Sequence, residues 1–221
     1  DDVLEREITN TLFPDTTYSN ESGGDPEAIP DLTYEQFLDF HRRYYHPANS
    51  YIYLYGNMDM VEKLEYLDQA YLSHFDRFSV DSEVAFQKPF DKCVEAGKFY
   101  PITENEPEED NTYLTYNMVV GDSLDREQYI AFQILDYALC SAPGAPLKQA
   151  LLDKGIGKDI YSYYESGIRQ SYFTIVAKNA NLDRREEFVE CIEKELSRLA
   201  KEGIDKKALR AGLNYYEFRY R

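Results

Sequence analysis

The chain has 221 residues, with 21 Tyr and 12 Phe but no Trp, and 41 Asp+Glu against 24 Lys+Arg, a formal net charge of −17 with neutral histidines. That excess excludes a duplex nucleic-acid binder, which needs a cationic face to displace counterions from phosphates, and it excludes docking on anionic lipid headgroups. Basic partners are favoured by long-range attraction, although a high net charge also serves solubility alone, and the length suffices for one large domain or two smaller ones.

The chain opens with a short polar helix expected over Asp2 to Leu12, ended by Phe13-Pro14. Asp15 to Pro30 is rich in Gly, Pro, Asp, Ser and Thr and reads as a long loop. Thr33 followed by Gln36 is a capping box, and Phe37, Leu38, Phe40, Tyr44 and Tyr45 then recur at helical spacing up to His46-Pro47. Ser50 to Tyr55 is almost wholly aromatic and aliphatic, which predicts a buried strand. A further helix runs from about Asp59 to His74.

Residues 79–98 lack periodicity and read as a linker, and the acidic stretch 103–111 reads as a solvated loop. A strand is expected over Thr112 to Val120, then a helix capped by Asp122 or Ser123 and running to about Cys140. Ser141-Ala142-Pro143-Gly144 breaks that helix, and Pro146 opens a short one ending at Gly155. Strands Asp159 to Ser166 and Ser171 to Ala177 form a hairpin about Gly167 to Gln170. Asp183 is expected to cap a helix to Lys201 with Gly203 at its end, and Asp205 a last helix still running at Arg221. The second block is β-α-α-β-β-α-α, an α+β class with mainly antiparallel sheet and helices packed on one face.

Chemistry-bearing motifs are few. His41 and His46 are five residues apart, roughly 140° on a helix, so they do not share a face, and His74 stands alone. A zinc site needs three or four converging ligands, and no local nucleus for one is present. Gly23-Gly24 lacks the Lys-Ser/Thr of a phosphate loop. Gly155-Ile156-Gly157 precedes a strand, the reverse of a dinucleotide fingerprint. No G-x-S-x-G elbow occurs. Cys93, Cys140 and Cys191 are odd in number and widely spaced, so buried reduced thiols are expected in place of a disulfide framework. With 41 acids any carboxylate pair is uninformative, and packing accounts for most tyrosines. No apolar run approaches the roughly 20 residues of a membrane span. No signal-peptide pattern is present, and the chain opens Asp1-Asp2 without Met, so the expected compartment is the cytoplasm, or an organelle lumen where a targeting segment has been removed.

Leu12 to Asp59 is more specific. Leu12-Phe13-Pro14 is followed by Tyr18, by Ser22-Gly23-Gly24-Asp25-Pro26 and by Ile29-Pro30-x-Leu32-Thr33. Next come Phe40-His41-x-x-Tyr44-Tyr45-His46-Pro47-x-Asn49 and Tyr55-Gly56. This ordered series resembles the pitrilysin/insulysin (inverzincin) metallopeptidases, most closely their presequence-protease and falcilysin branch. Ser141 to Leu147, followed by Leu151-Leu152, resembles the helix break of that family's second domain.

The resemblance implies a zinc endopeptidase of two similar halves that close around a chamber and degrade unfolded peptides. Its zinc is held by two histidines of H-x-x-E-H and a distant glutamate, the motif glutamate acting as general base. This chain departs from that pattern: none of its histidines begins H-x-x-E-H. On the alignment at Leu12-Phe13-Pro14, Glu5 and Glu7 fall downstream of the third ligand's place.

The expectation is therefore an excised piece. Residues 1–78 would be the C-terminal part of the first, catalytic-type domain, 79–98 a linker, and 99–221 a second domain truncated at its end. Catalytic, cofactor and metal residues are expected to be absent from it, with zinc belonging to the parent. Tyr18, Gly23, Gly24, Asp25, Pro26, His41, Tyr44, Tyr45, Pro47, Asn49 and Gly56 are expected to serve turns and packing, positive φ being open to the glycines. Expected partners are unfolded or basic peptides in the parent's chamber and the parent's remaining domains, without nucleic acid or membrane, and the piece alone is expected to self-associate. The rival expectation is part of a catalytically inactive homologue acting as a structural or peptide-binding subunit.

Overall fold

The computed structural model describes residues 1–221. The chain folds into two compact units: Asp1–Ser19 with Phe86–Arg221, and Asn20–Ala85.

The larger unit is built on a three-stranded antiparallel sheet of order β1-β3-β2, from β1 (Thr112–Asp122), β2 (Asp159–Glu165) and β3 (Gln170–Ala180). Side chains alternate across the central strand, as the period of two requires. Phe173, Ile175 and Ala177 enter the main core with Leu114, Ile160, Leu147, Leu151, Phe188 and Ile192. Full burial of such side chains stabilises by about 1.5–3 kcal/mol each. The covering helices are α4 (Arg126–Asp136), α5 (Pro146–Asp153), α6 (Arg185–Glu202) and α7 (Lys206–Arg219). Core residues from α5 and α6 and the ring of Phe132 on α4 meet one face of the sheet. Gly212 sets α7 against Tyr137 and Ile134.

The opposite face carries a helix that the sequence pattern did not assign to it. On α1 (Asp2–Leu12), Ile8 and Leu12, with the following Phe13, bury against Tyr172, the neighbour of Phe173 that points the other way. Asp1 holds the far end of the helix: its carboxylate accepts from the Tyr113 hydroxyl at 2.8 Å and pairs with Lys178 at 3.3 Å. Residues 1–19 therefore group with the second block, whereas the sequence reading keeps them with residues 20–78. Within the expected linker 79–98 there is no helix or strand, yet Gln87 is buried.

Several helix ends differ from expectation. Asp125, not Asp122 or Ser123, caps α4 by accepting from Gln128 N at 3.0 Å, while Asp122 closes the preceding turn onto Leu124 N. The helix then widens into a π turn over Tyr137–Ser141, with Ala142 N donating to the Tyr137 carbonyl at 2.7 Å. Asp183 lies in a single 3-10 turn, Leu182–Arg184, and α6 starts without a side-chain cap because its N-cap position falls on Arg184, whose guanidinium has no acceptor to offer and pairs with Glu187. Cys140 and Cys191 are buried thiols as expected, but Cys93 is exposed on the coil segment.

The smaller unit contains α2 (Tyr34–Tyr44) and α3 (Met60–Ala70). The capping box forms: Gln36 N donates to Thr33 Oγ1 at 3.2 Å, and Thr33 N donates to Gln36 Oε1 at 2.8 Å. Asp59 caps α3 by accepting from Val61 N and Glu62 N. The predicted strand Ser50 to Tyr55 does not form. The run has no hydrogen-bonded partner strand, and Tyr51, Tyr53 and Tyr55 are exposed, Tyr53 by 85%. Aromatic β-propensity is realised only where cross-strand neighbours exist to pack against.

Candidate functional site

The family-like residues form two local constructions and one anchor. In the first, Gly24 N closes a turn onto the Glu21 carbonyl at 3.1 Å with φ +86, where an added Cβ would come within 2.9 Å of Ile29 Cδ1. Positive φ is thus used at Gly24 and not at Gly23. Asp25 follows as an Asx turn, its Oδ1 accepting from Glu27 N at 2.9 Å and its carbonyl from Ile29 N at 2.9 Å. Pro26 lies exposed within that turn.

The second construction turns the chain from α2 into the extended run 50–55. His46 Nδ1 accepts from Ala48 N at 3.1 Å and so caps the short 3-10 turn that Pro47 opens. Asn49 ties both sides: Nδ2 donates to the Tyr44 carbonyl at 3.0 Å, and Oδ1 accepts from the Ser82 hydroxyl at 2.5 Å. Tyr44 packs on Phe40 at 4.8 Å, and His41 stacks on the exposed Tyr45 at 4.7 Å. Gly56 ends the run at φ +132. Pro47 and Asn49 therefore make the corner together with His46, which the sequence reading places at the end of the helix before Pro47 but to which it gives no cap on the following turn.

Tyr18 is the anchor and belongs to the larger unit. Its hydroxyl accepts from Arg169 N at 2.9 Å, and its ring meets Phe13 edge-on at 5.9 Å.

These side chains do not fit a zinc ion. His46 has Nδ1 engaged with Ala48 N and sits edge-on to Phe75 and Phe78, and His41 is stacked. Nowhere in the chain do three His, Cys, Asp or Glu side chains gather in a way that could hold a metal.

Nucleophilic chemistry is equally unsupported by the buried polar groups of the larger unit. Ser162 donates to Asp136, whose carboxyl is pushed above the ordinary aspartate range by burial. Burial also pushes the Cys140 thiol up to about 11, so it stays protonated and inert near neutrality. A cleft of about 250 Å³ lies between the Ala142–Pro146 loop and the α6–α7 junction, lined by Leu199, Ile204 and Ala208. Its polar groups are committed: Arg198 binds Glu195 and Glu202, and Asp205 caps α7 on Lys207 N.

Fold and site together define an α+β domain with an antiparallel sheet in which no metal-ligating set of side chains comes together. The chain belongs to the peptidase M16 inactive domain family, whose sequence profile matches residues 31–216. It is 44% identical over 221 residues to Protein HypA of Clostridium perfringens (strain 13 / Type A), a match that covers 100% of this chain and 23% of that protein. It is 35% identical over 225 residues to presequence protease 1, chloroplastic/mitochondrial, of Arabidopsis thaliana, covering 100% of this chain and 21% of that protein. The chain thus spans about a fifth of the length of these curated relatives. In structure it resembles the crystal structure of a peptidase M16 inactive domain from Pseudomonas fluorescens, with a TM-score of 0.65 and 16% identity over 99% of this chain and 51% of that one. No helix is long and apolar enough to cross a membrane.

Proposed function

We propose that this chain is a non-catalytic portion of a larger zinc-dependent metalloendopeptidase that degrades unfolded oligopeptides, and that it contributes scaffold and part of the wall of the peptide chamber. One observation carries the reading. Residues 20–85 contain no buried side chain, while Phe37, Phe40, Tyr45, Tyr53 and Leu64 are exposed on them. Ordering a residue costs about 1–2 kcal/mol in backbone entropy, so such a unit needs apolar cover from outside itself. Further domains of the same parent supply that cover on this reading, and the zinc ligands lie among them.

Two features support the substrate class. Relatives over the whole chain are named presequence proteases, and the net charge of −17 attracts basic, unfolded peptides within a screening length of roughly 8 Å at physiological salt. The working compartment on this reading is the cytoplasm, or an organelle lumen as in the mitochondrial and chloroplastic relatives.

The test is to purify the longer gene product that contains this segment, measure its zinc content and expose it to an unfolded basic peptide. One zinc per chain and chelator-sensitive cleavage are expected. A longer product that binds the peptide but holds no zinc and leaves the peptide intact would instead establish an inactive, peptide-binding homologue.

A further inference from the structure

Gln87 lies in a stretch without helix or strand, yet it is only 6% exposed and is one of three buried polar side chains in the chain, with Ser171 and Thr174. Its carboxamide pairs reciprocally with Asp15, and Nε2 also donates to the Lys88 carbonyl at 3.4 Å. Asp15 N donates to Gln87 Oε1 at 2.9 Å, and Gln87 Nε2 donates to Asp15 Oδ2 at 2.7 Å. Its backbone is read in the same reciprocal way by a second carboxamide: Gln87 N donates to Gln170 Oε1 at 2.5 Å, and Gln170 Nε2 donates to the Gln87 carbonyl at 3.3 Å.

The neighbouring residues repeat the pattern. Arg169 N donates to the Tyr18 hydroxyl, and the Arg169 guanidinium stands 4.7 Å above the ring of Phe86. The two chain segments that flank residues 20–85, namely 15–19 and 86–87, are thus both fastened where the β2–β3 turn enters β3, at Arg169 and Gln170. All of these residues belong to the larger unit. Three backbone amides, those of Asp15, Gln87 and Arg169, have side-chain oxygens as their acceptors. Their protection from solvent therefore depends on the fastening and not on the sheet ladder.

We propose that Asp15, Gln87 and Gln170, with Tyr18 and Arg169, form a clip that locks both neck segments of the 20–85 insertion to the β2–β3 turn where it enters β3 and opens as one unit, separately from the sheet. Local openings of this kind fall below the global unfolding free energy. The clip is independent of the proposed function.

Hydrogen exchange on the full 221-residue chain tests it. Replacing Gln87→Ala should speed exchange about tenfold or more at the Asp15 and Arg169 amides together, while the Ile175 amide at the centre of β3 stays protected. The Arg169 amide is the discriminating probe, because its acceptor is Tyr18 and not Gln87. Gln87→Glu, which sets a carboxylate against Asp15, should open the clip in the same way. Adding Asp15→Asn to it restores one donor and one acceptor and should return exchange to within about threefold of the parent chain. Gln170→Leu, which leaves the Asp15–Gln87 pair intact, should also speed Arg169. An Arg169 amide unmoved by Gln87→Ala, no recovery in the double variant, or loss of Ile175 protection along with the clip would each overturn the proposal.

Discussion

Gly212 of α7 lies close against the ring of Tyr137, where an added Cβ would stand 3.1 Å from Tyr137 Cδ1 and 3.4 Å from Ile134 Cγ2. The closeness lets α7 rest on the last turn of α4 and on the π turn that follows, and it brings the Tyr137 and Tyr215 rings into a stack at 5.6 Å. A β-branched side chain has no room there. Gly212→Val should lower stability by about 1–3 kcal/mol, the usual scale for overpacking. Urea unfolding at unchanged slope checks this; a neutral result would mean that α7 is not seated as described.

Gly157 is constrained by backbone in addition to space. Its φ is +74, and a Cβ would meet the Lys178 carbonyl oxygen at 2.9 Å, on the strand to which Lys158 N also bonds. Gly157→Ala should cost about 1–3 kcal/mol, from positive φ and the clash together. Gly155→Ala provides the comparison, since it shares positive φ, at +67, in the left-handed turn that ends α5, but has nothing within 4 Å of its Cβ. It should cost less, and thermal melts of the pair separate crowding from φ.

Asp136 gives a pH dependence of defined sign. Burial raises its carboxyl above the ordinary aspartate value, so the folded chain holds this proton more tightly than the unfolded chain. Its contribution to stability is therefore largest below the ordinary aspartate range and is lost as pH rises through the folded value. Asp136→Asn keeps an oxygen to accept from Ser162 and carries no charge. The variant should be more stable than the parent at neutral pH, the gap closing as pH falls through the carboxylate range. Denaturant midpoints from pH 3 to 7 measure the gap; one that widens on acidification would reverse the assignment.

The two units should respond unequally to truncated aromatics. Phe188 is 1% exposed in the main core, and Phe188→Ala should cost about 3–5 kcal/mol. Phe37 and Tyr53 are 64% and 85% exposed, and changing either to Ser should move stability by less than about 0.5 kcal/mol. Those same exposed aromatics are apolar surface of the kind that drives self-association. Light scattering across a concentration series should show the chain associating, and Phe37→Ser with Tyr53→Ser should reduce it.

Local chemistry made much of this legible. Thr33 with Gln36, Asp59 and Asp205 announce their helices because a short polar side chain before an apolar period satisfies backbone amides that the helix leaves open. The hairpin of β2 and β3 follows from two aromatic runs flanking a glycine turn. Non-local facts were not legible. Ser50 to Tyr55 has every property of a strand except a partner, and no feature of the six residues reveals that lack. The seat of α1 on Tyr172 and the burial of Gln87 against Asp15 depend on residues far apart in sequence, so neither the periodicity of α1 nor the coil-like composition around Gln87 shows them. Among the site residues, Asn49 and Pro47 were found through the family resemblance, whereas the capping role of His46 depends on a ring nitrogen whose orientation only the structure gives.

On the proposed function, this chain holds no metal of its own. Zinc titrated calorimetrically into the purified chain tests it most directly. The account predicts no saturable tight site at one ion per chain; a stoichiometric, histidine-dependent site abolished by replacing His41, His46 or His74 would contradict it.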